Sequence, residues 1–554
     1  MKKIILSITV ISALILSACS DFLDIKQNDS ITSDALSAEN LNSLTAPLYN
    51  YVWYSFNNNF NLGIGDGMSY NLNHNSTYIE PYTTLNVTGL TSNLQEAWGS
   101  FYNVVQLSNK VIITVNLVDA DETAKTQCIA EARFMRGVAY WYLASLWGNA
   151  VISEDPTLLV NNPLVNTNPK KDVFEIAIRD LEFAAKYLPA NSSAVGHVNR
   201  YSAFGMLSRV YLDFSGYVAS NYGENPNCST RDETYLELAR KAAEKVIGSG
   251  RFQLLPNYPD LFKIEFNNNS ESLFAFQWVP GVNGNNNYGV TNSTVSYIAA
   301  IGVASAGEAW GNYVTATYDV LKEYETADSI RRKATWMGWG DFYPEINKAE
   351  GGLHIGDGDG EYNNGRNANT VLNIKKGVTG NQKDNDAINT RNSGWDNYVL
   401  RYAEVLLNYA DAVLGNNPNT TDAKALEYFN AIRTRAKMPT KASIAYEDLR
   451  HERRIEFCVE GRYWFELVAR SYYKQQEVVN YINAQNRKTD YAYLFYPPSD
   501  LQADPERDQN RAAGTATAAT FKLPYPESEL IQNPKLGDAP VPYVFTEARI
   551  TDLF

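Results

Sequence analysis

The sequence predicts a mostly α-helical fold: a scaffold of tetratricopeptide-type helical pairs, interrupted by a large irregular loop-rich insertion. Three observations carry this. Between residues 400 and 470 the apolar residues recur at helical spacing, and Ala425, Phe429 and Ile432 at i, i+4 and i+7 make a single apolar face. Short helices alternate there with turns punctuated by Gly415, Pro418 and Pro439, a degenerate form of the tetratricopeptide pattern. From 252 to 395 the helical period fails, and Gly, Asn and Trp accumulate.

Taken in order, residues 38–51 read as a first helix. The Asn- and Gly-rich stretch 56–75 reads as a loop. Its Gly63-Ile64-Gly65-Asp66-Gly67 lacks the preceding strand and following helix of a dinucleotide loop. Helices follow at 94–118 and 122–147, the second apolar almost all round and therefore buried. Small residues Ala132, Gly137, Ala139 and Ala144 allow neighbours to approach it closely. Helices at 172–188, 199–214 and 235–247 carry apolar stripes, and Gly248 and Gly250 stop the last. In the insertion, "SLFAFQW" alternates like a short strand. Helices at 400–414, 422–437 and 446 to about 470 complete the scaffold.

With 554 residues, 44% apolar and 20% charged, the chain is globular and long enough for a large core. A net charge of −14 argues against nucleic acid as a partner. The 37 Tyr and 10 Trp, beside Asn-rich loops, suit neutral polar ligands such as sugars, although most of the Tyr residues serve helix packing. At the N-terminus, Lys2 and Lys3, an apolar run over 4–16 and Leu16-Ser17-Ala18-Cys19 form a lipoprotein export signal. The run is too short to span a membrane. Cleavage after residue 18 and acylation of Cys19 would leave the chain anchored in lipid. Residues 19–37 then form a tether. Cys128, Cys228 and Cys458 remain, an odd number without a CxxC pair, and the first and last read as buried thiols.

Several blocks resemble the SusD/RagB family. "LRYAEVLLNYADA", "FNAIRTRAKMP" and "ERRIEFCVEGRYWFEL" are similar to its C-terminal blocks. "EARFMRGVAYWYLASLWGN" and "FKLPYPESELIQNPKL" resemble two more, in family order. Glu466 stands where the family usually has Asp. The Gln-Asn expected after the closing block is absent, and Gly537-Asp538-Ala539-Pro540 leads instead into an extended end. The resemblance implies a lipid-anchored surface protein of the outer membrane. It would capture an oligosaccharide without catalysis and hand it to a SusC-like TonB-dependent transporter. It also implies a scaffold of four helical pairs, a ligand site in the insertion, and a surface-export role for Ser20, Asp21 and Asp24. Trp98 and Tyr102 match the family's spacing and are expected in the core. The domain organisation is then a signal at 1–18, a tether at 19–37, an N-terminal helical scaffold at 38–251, a ligand-binding insertion at 252–398, and C-terminal helical pairs with an extended tail at 399–554. Two other readings stay open: a peptide-capturing relative, and a surface glycoside hydrolase or structural lipoprotein.

No catalytic constellation emerges. His451-Glu452 begins like a zinc-protease motif, but Ile455 occupies the second ligand position. No nucleophile elbow is present, and carboxylates are too many to single out a pair. The cluster Glu452, Arg453, Arg454, Glu456, Glu460, Arg462 and Glu466 reads as an ion-pair network that locks helices. For ligand contact the leading residues are Trp310, Trp336, Trp339 and Tyr343, with Gly338 and Gly340 freeing the backbone around Trp339. Trp278 and Tyr82 come second, and Asp66, Asn73 and Asn75 could meet hydroxyls. The competing reading, in which the aromatics close a small core of the insertion's own, weighs evenly for each. Asp357, Asp359 and Glu361 alternate as ligands of a structural calcium would, or form an acidic turn; no other cofactor is expected.

Overall fold

Consecutive helices stack side by side to build the scaffold. They are α1 (Leu94–Leu117), α2 (Glu122–Leu146), α3 (Lys170–Tyr187), α4 (Arg200–Ala219) and α5 (Glu233–Ile247). After the insertion, which holds α6 (Ser329–Thr335), come α7 (Tyr402–Leu414), α8 (Ala423–Arg435), α9 (Tyr446–Glu456) and α10 (Tyr463–Asn483). Each helix from α1 to α5 packs on the next, α5 packs on α7, and α7 on α8. The structure, a computed structural model, describes residues 41–74, 77–280, 289–299, 314–338, 340–355, 372–389, 392–487, 512–554 and short strands within 489–510. The signal, Cys19, the tether, Asn75, Trp310, Trp339, Asp357, Asp359 and Glu361 lie outside the described residues.

The helix starts have local causes. Asp121, Asn199, Asp232 and Asp422 each accept a backbone N–H of the first turn through their side chains, filling donors that a helix N-terminus leaves open. Gly137 lets α2 and α3 touch, because a Cβ there would stand 3.0 Å from the Ala177 carbonyl oxygen. At the same crossing Arg133 and Arg136 both reach the buried carboxylate of Asp180, at 2.8 and 2.7 Å. Trp98 and Tyr102 pack in the core with ring centroids 4.9 Å apart. Cys128 and Cys458 are buried free thiols.

Two expectations change. The stretch 56–75 is not an open loop: residues 54–67 wind continuously, with π-helical turns at Phe56–Phe60 and Gly63–Gly67. Glycine concealed this helix from a propensity reading. Gly65 is required by contact, since a Cβ there would lie 2.2 Å from the Gly461 backbone. The long helix expected from 446 to 470 is two helices, α9 and α10. Val459 at φ 63° and Gly461 at φ 71° adopt the left-handed conformation, which a right-handed helix cannot contain. Asp66 holds this break, its carboxylate accepting the N–H groups of Val459 and Gly461, each at 2.8 Å.

The insertion joins the scaffold through an antiparallel strand pair, Ser272–Phe276 with Asn397–Arg401. The first of these is the strand read from "SLFAFQW". Behind it lies the large helical core, and beyond it a second core that includes Leu72, Val314, Trp336, Met337, Tyr343 and Trp395. The C-terminal end crosses the outside of α2 and α3 as an extended strap. Val541 N–H donates to the Thr167 carbonyl at 2.8 Å, Glu547 pairs with Arg133 at 2.8 Å and Asp552 with Lys186 at 2.9 Å.

Buried charges hold the parts in register. Arg401 pairs with Glu271 at 2.5 Å, with Glu460 at 2.8 Å and with Glu456 at 3.1 Å. Arg435 reaches Glu271 at 2.7 Å and also Glu456, and Arg331 of α6 reaches Asp328, Glu452 and Glu456. Beside them Arg454 pairs with Asp319 at 2.6 Å and Glu323 at 3.0 Å, and donates to Asn71 at 2.9 Å. The charged cluster of 452–466 is thus a structural network. Removing one partner leaves uncompensated buried charge, so Arg454→Ala is expected to cost about 3–5 kcal/mol. A urea midpoint equal to that of the parent chain would contradict this.

Burial raises the pKa of Glu456, but Arg435, Arg401 and Arg331 outweigh it and hold the group at about 2. Glu404, between Arg209 and Arg462, is held at about 2 in the same way. These folded-state values lie below those of the unfolded chain. Their stabilisation is therefore complete above about pH 4.5 and is lost as pH falls toward 2. Thermal melts should fall steeply across that window, and Glu404→Gln should flatten the fall.

Candidate ligand-binding rim

The second core ends in an edge at which several chain crossings converge. The strand Leu72–His74 pairs antiparallel with Val314–Ala316, His74 opposite Val314. Ala316 N–H donates to the Leu372 carbonyl at 2.9 Å, and Leu372 N–H to the Met337 carbonyl at 2.6 Å. Gly340 N–H donates to the Ile355 carbonyl at 2.6 Å. The residues that flank 75–76, 300–313, 339 and 356–371 therefore sit together. A second crossing lies beside them: Val279 N–H donates to the Val290 carbonyl at 2.9 Å, and the turn of helix Thr294–Ile298 carries the chain from there to Ala299.

Aromatic side chains face solvent along this rim. Tyr78, which closely follows residues 75–76, is 48% exposed, and Tyr51 is 63% exposed. Tyr51 lies over Gly289, where a Cβ would come within 2.9 Å of the ring. Below it, Ser293 Oγ donates to Asn58 Oδ1 at 2.7 Å and bonds the Tyr54 hydroxyl at 2.9 Å. Asp396 underpins the same place by accepting Trp278 N–H at 2.8 Å, and burial pushes its carboxyl up to about 7.

The described aromatic candidates support the rim from beneath instead of presenting a face. Trp336 is fully buried and bridges to Ile374. Tyr343 is buried, its hydroxyl bonded to the Lys333 carbonyl and to Asp341, each at 3.0 Å. Trp278 is buried, with Nε1 donating to Asn397 at 2.9 Å. Tyr82 is buried against Phe60 and donates to the Ser92 carbonyl at 3.1 Å. Asp66 holds the α9–α10 break, and Asn73 is a buried residue of the strand opposite Thr315. Gly338 and Gly340 serve a tight turn, in which Asp341 accepts Gly338 N–H at 2.6 Å. The glycines here mark a turn, and the Trp336 that precedes it is buried. Tyr51 and Tyr78 escaped the sequence reading; the polar run Asn73-His74-Asn75-Ser76-Thr77 before Tyr78 was the available signal.

This architecture defines a class: a scaffold of packed helices joined by a strand pair to an insertion with a core of its own. Residues 261–541 match the family model described as the SusD family, and residues 21–212 the one described as starch-binding associating with outer membrane. The chain is 37% identical to a SusD-like protein of Bacteroides ovatus, over 97% of each chain. A solved structure described as a complex with xylogluco-oligosaccharide is 36% identical. It superposes with a TM-score of 0.81, covering 92% of this chain and 100% of that one. A SusD superfamily protein from Parabacteroides distasonis, at 19% identity and a TM-score of 0.66, shares the fold over 92% of this chain and 99% of its own. The chain belongs to the SusD family.

Trp336→Ala should act as a core deletion, costing about 3–5 kcal/mol. A denaturant midpoint unchanged by the substitution would contradict its placement.

Proposed function

We propose that the protein captures an oligosaccharide at the rim and passes it, without catalysis, to a SusC-like TonB-dependent outer-membrane transporter. The observation that carries this is the 36% identical structure with xylogluco-oligosaccharide, which spans the whole scaffold on which the rim is built. A xyloglucan-derived oligosaccharide is accordingly the first ligand to test. Exposed Tyr51 and Tyr78 offer flat faces of the kind that stack on sugar rings, and Trp310 and Trp339 are proposed to join them. Attachment is proposed through acylated Cys19. No helix among the described residues is long and apolar enough to cross a membrane.

Calorimetry of residues 20–554 with xylogluco-oligosaccharide should give micromolar to millimolar affinity. Tyr78→Ala, Trp310→Ala and Trp339→Ala should each weaken it about tenfold, equivalent to about 1.4 kcal/mol. Binding that survives all three replacements would remove the rim as the site. A flat titration across plant glycans, with heat from basic peptides instead, would turn the reading to peptide capture.

A further inference from the structure

A second pocket lies on the helical scaffold, and it shares no residue with the rim. Its volume is about 250 Å³, and Tyr217, Tyr222, Tyr472, Phe521, Lys170 and Lys522 are among the side chains that line it. Lys170 stands at the start of α3 with its ammonium 3.8 Å from the ring centroid of Tyr472, 4.9 Å from Tyr217 and 5.9 Å from Phe174. Lys522 is exposed, beside the Tyr525 ring at 5.6 Å. Among the described residues, no carboxylate lies within 4 Å of either ammonium. In a chain of net charge −14, most of whose buried cations are ion-paired, two lysines share a pocket walled by aromatic rings. Burial, reinforced by Lys522 and opposed by Asp213, pushes the Lys170 ammonium down to about 7.

The wall is built deliberately. After α4 the chain turns through Asn221 at φ 51° and Tyr222 at φ 57°, two non-glycine residues in the left-handed region. Tyr222 N–H donates to the Tyr217 carbonyl at 2.9 Å, which fixes the turn, and the Tyr222 ring remains 37% exposed. The turn is docked onto α10 where that helix leaves helical geometry at Lys474. There Gln475 N–H donates to the Pro226 carbonyl at 3.0 Å, and Ser229 N–H to the Tyr473 carbonyl at 2.9 Å. Gln475 joins the lining, as does Asn149 at the end of α2.

A cation held over aromatic faces still lacks a charge partner, and flat tyrosine faces with nearby amides suit a pyranose ring. We propose that this pocket is a second ligand subsite that takes a carboxylate-bearing sugar, with its carboxylate on Lys170 and Lys522 and its ring against Tyr222. It rests on the glycan-capture reading only for the choice of ligand class.

The test is calorimetry of residues 20–554 with three probes: a galacturonate trisaccharide, a glucuronate-bearing xylo-oligosaccharide and neutral xylogluco-oligosaccharide. Each is titrated into the parent chain, Lys522→Glu and Tyr222→Ala, both surface changes, with thermal melts to confirm folding. At least one acidic probe should bind the parent and lose tenfold or more in both variants, while the neutral probe is unaffected. The probe that binds tells pectin-type from xylan-type sources. Acidic binding that persists in both variants would overturn the proposal and place that ligand elsewhere. A bound neutral probe with both acidic probes silent would overturn it and leave rim capture standing. Silence from all three would overturn both.

Discussion

The Glu456 carboxylate is shared among three guanidinium groups, and the rest of the structure is built around that arrangement. Arg331 comes from α6 in the insertion, Arg401 from the junction of strand and α7, and Arg435 from the end of α8. Glu271, at the base of the insertion, closes the ring by pairing with both Arg401 and Arg435. Taking such charges out of water is costly, and only complete mutual pairing offsets it. A network of this kind is satisfied in one relative placement of its contributing segments. Shifting any of them by a helical turn would strand a buried charge. The network therefore acts as a registry device between scaffold and insertion, where apolar packing alone would tolerate sliding.

That registry is what gives the rim a fixed base. Lys376, two residues after the Ile374 that bridges to Trp336, donates to Glu460 at 3.0 Å and to the Tyr258 hydroxyl at 2.9 Å. Asp66 ties the N-terminal helical turns to the α9–α10 break, a few residues before the strand that carries Asn73 to the rim. The second core is thus clamped from the charged centre on one side and ends in the converging crossings on the other. Loops on such a base can vary in length and side chain without disturbing the scaffold, which is how binding surfaces diversify on one fold.

The scaffold was legible because helix formation is mostly a local matter. The apolar stripes of 172–188, 199–214 and 235–247 place helices within a few residues of where they stand. The charged run from Glu452 to Glu466 was legible as a network, since its members fall close together on helical turns. Its partners Glu271 and Arg331 were not, because nothing local links them to a segment more than a hundred residues away. The break at 457–462 was hidden for a related reason: a non-glycine left-handed residue, Val459, is held there by Asp66 from far upstream. At the rim the difficulty was direction. A Trp-rich stretch announces hydrophobic area, yet Trp336 spends it inward in the core that holds Ile374 and Met337, while the exposed Tyr51 and Tyr78 lie outside that stretch, Tyr78 behind a polar run that marks a surface but not a ring's direction.

The two surfaces that this scaffold presents differ in how a ligand would be drawn to them. A neutral oligosaccharide feels little of the chain's net charge of −14, so capture at the rim as proposed would depend on shape and ring stacking at contact. An acidic sugar would be repelled by the protein as a whole, but that field is screened beyond about 8 Å at physiological salt. Inside the pocket the local sign is reversed, because Lys170 and Lys522 meet no carboxylate at close range among the described residues. Discrimination there would be settled within the last few ångströms of approach, where screening is weakest and the aromatic walls exclude water. Among the described residues most buried cations sit in paired networks, whereas Lys170 and Lys522 meet in one aromatic pocket without a carboxylate at close range, which separates the charges that hold the fold from those that would recognise an anion.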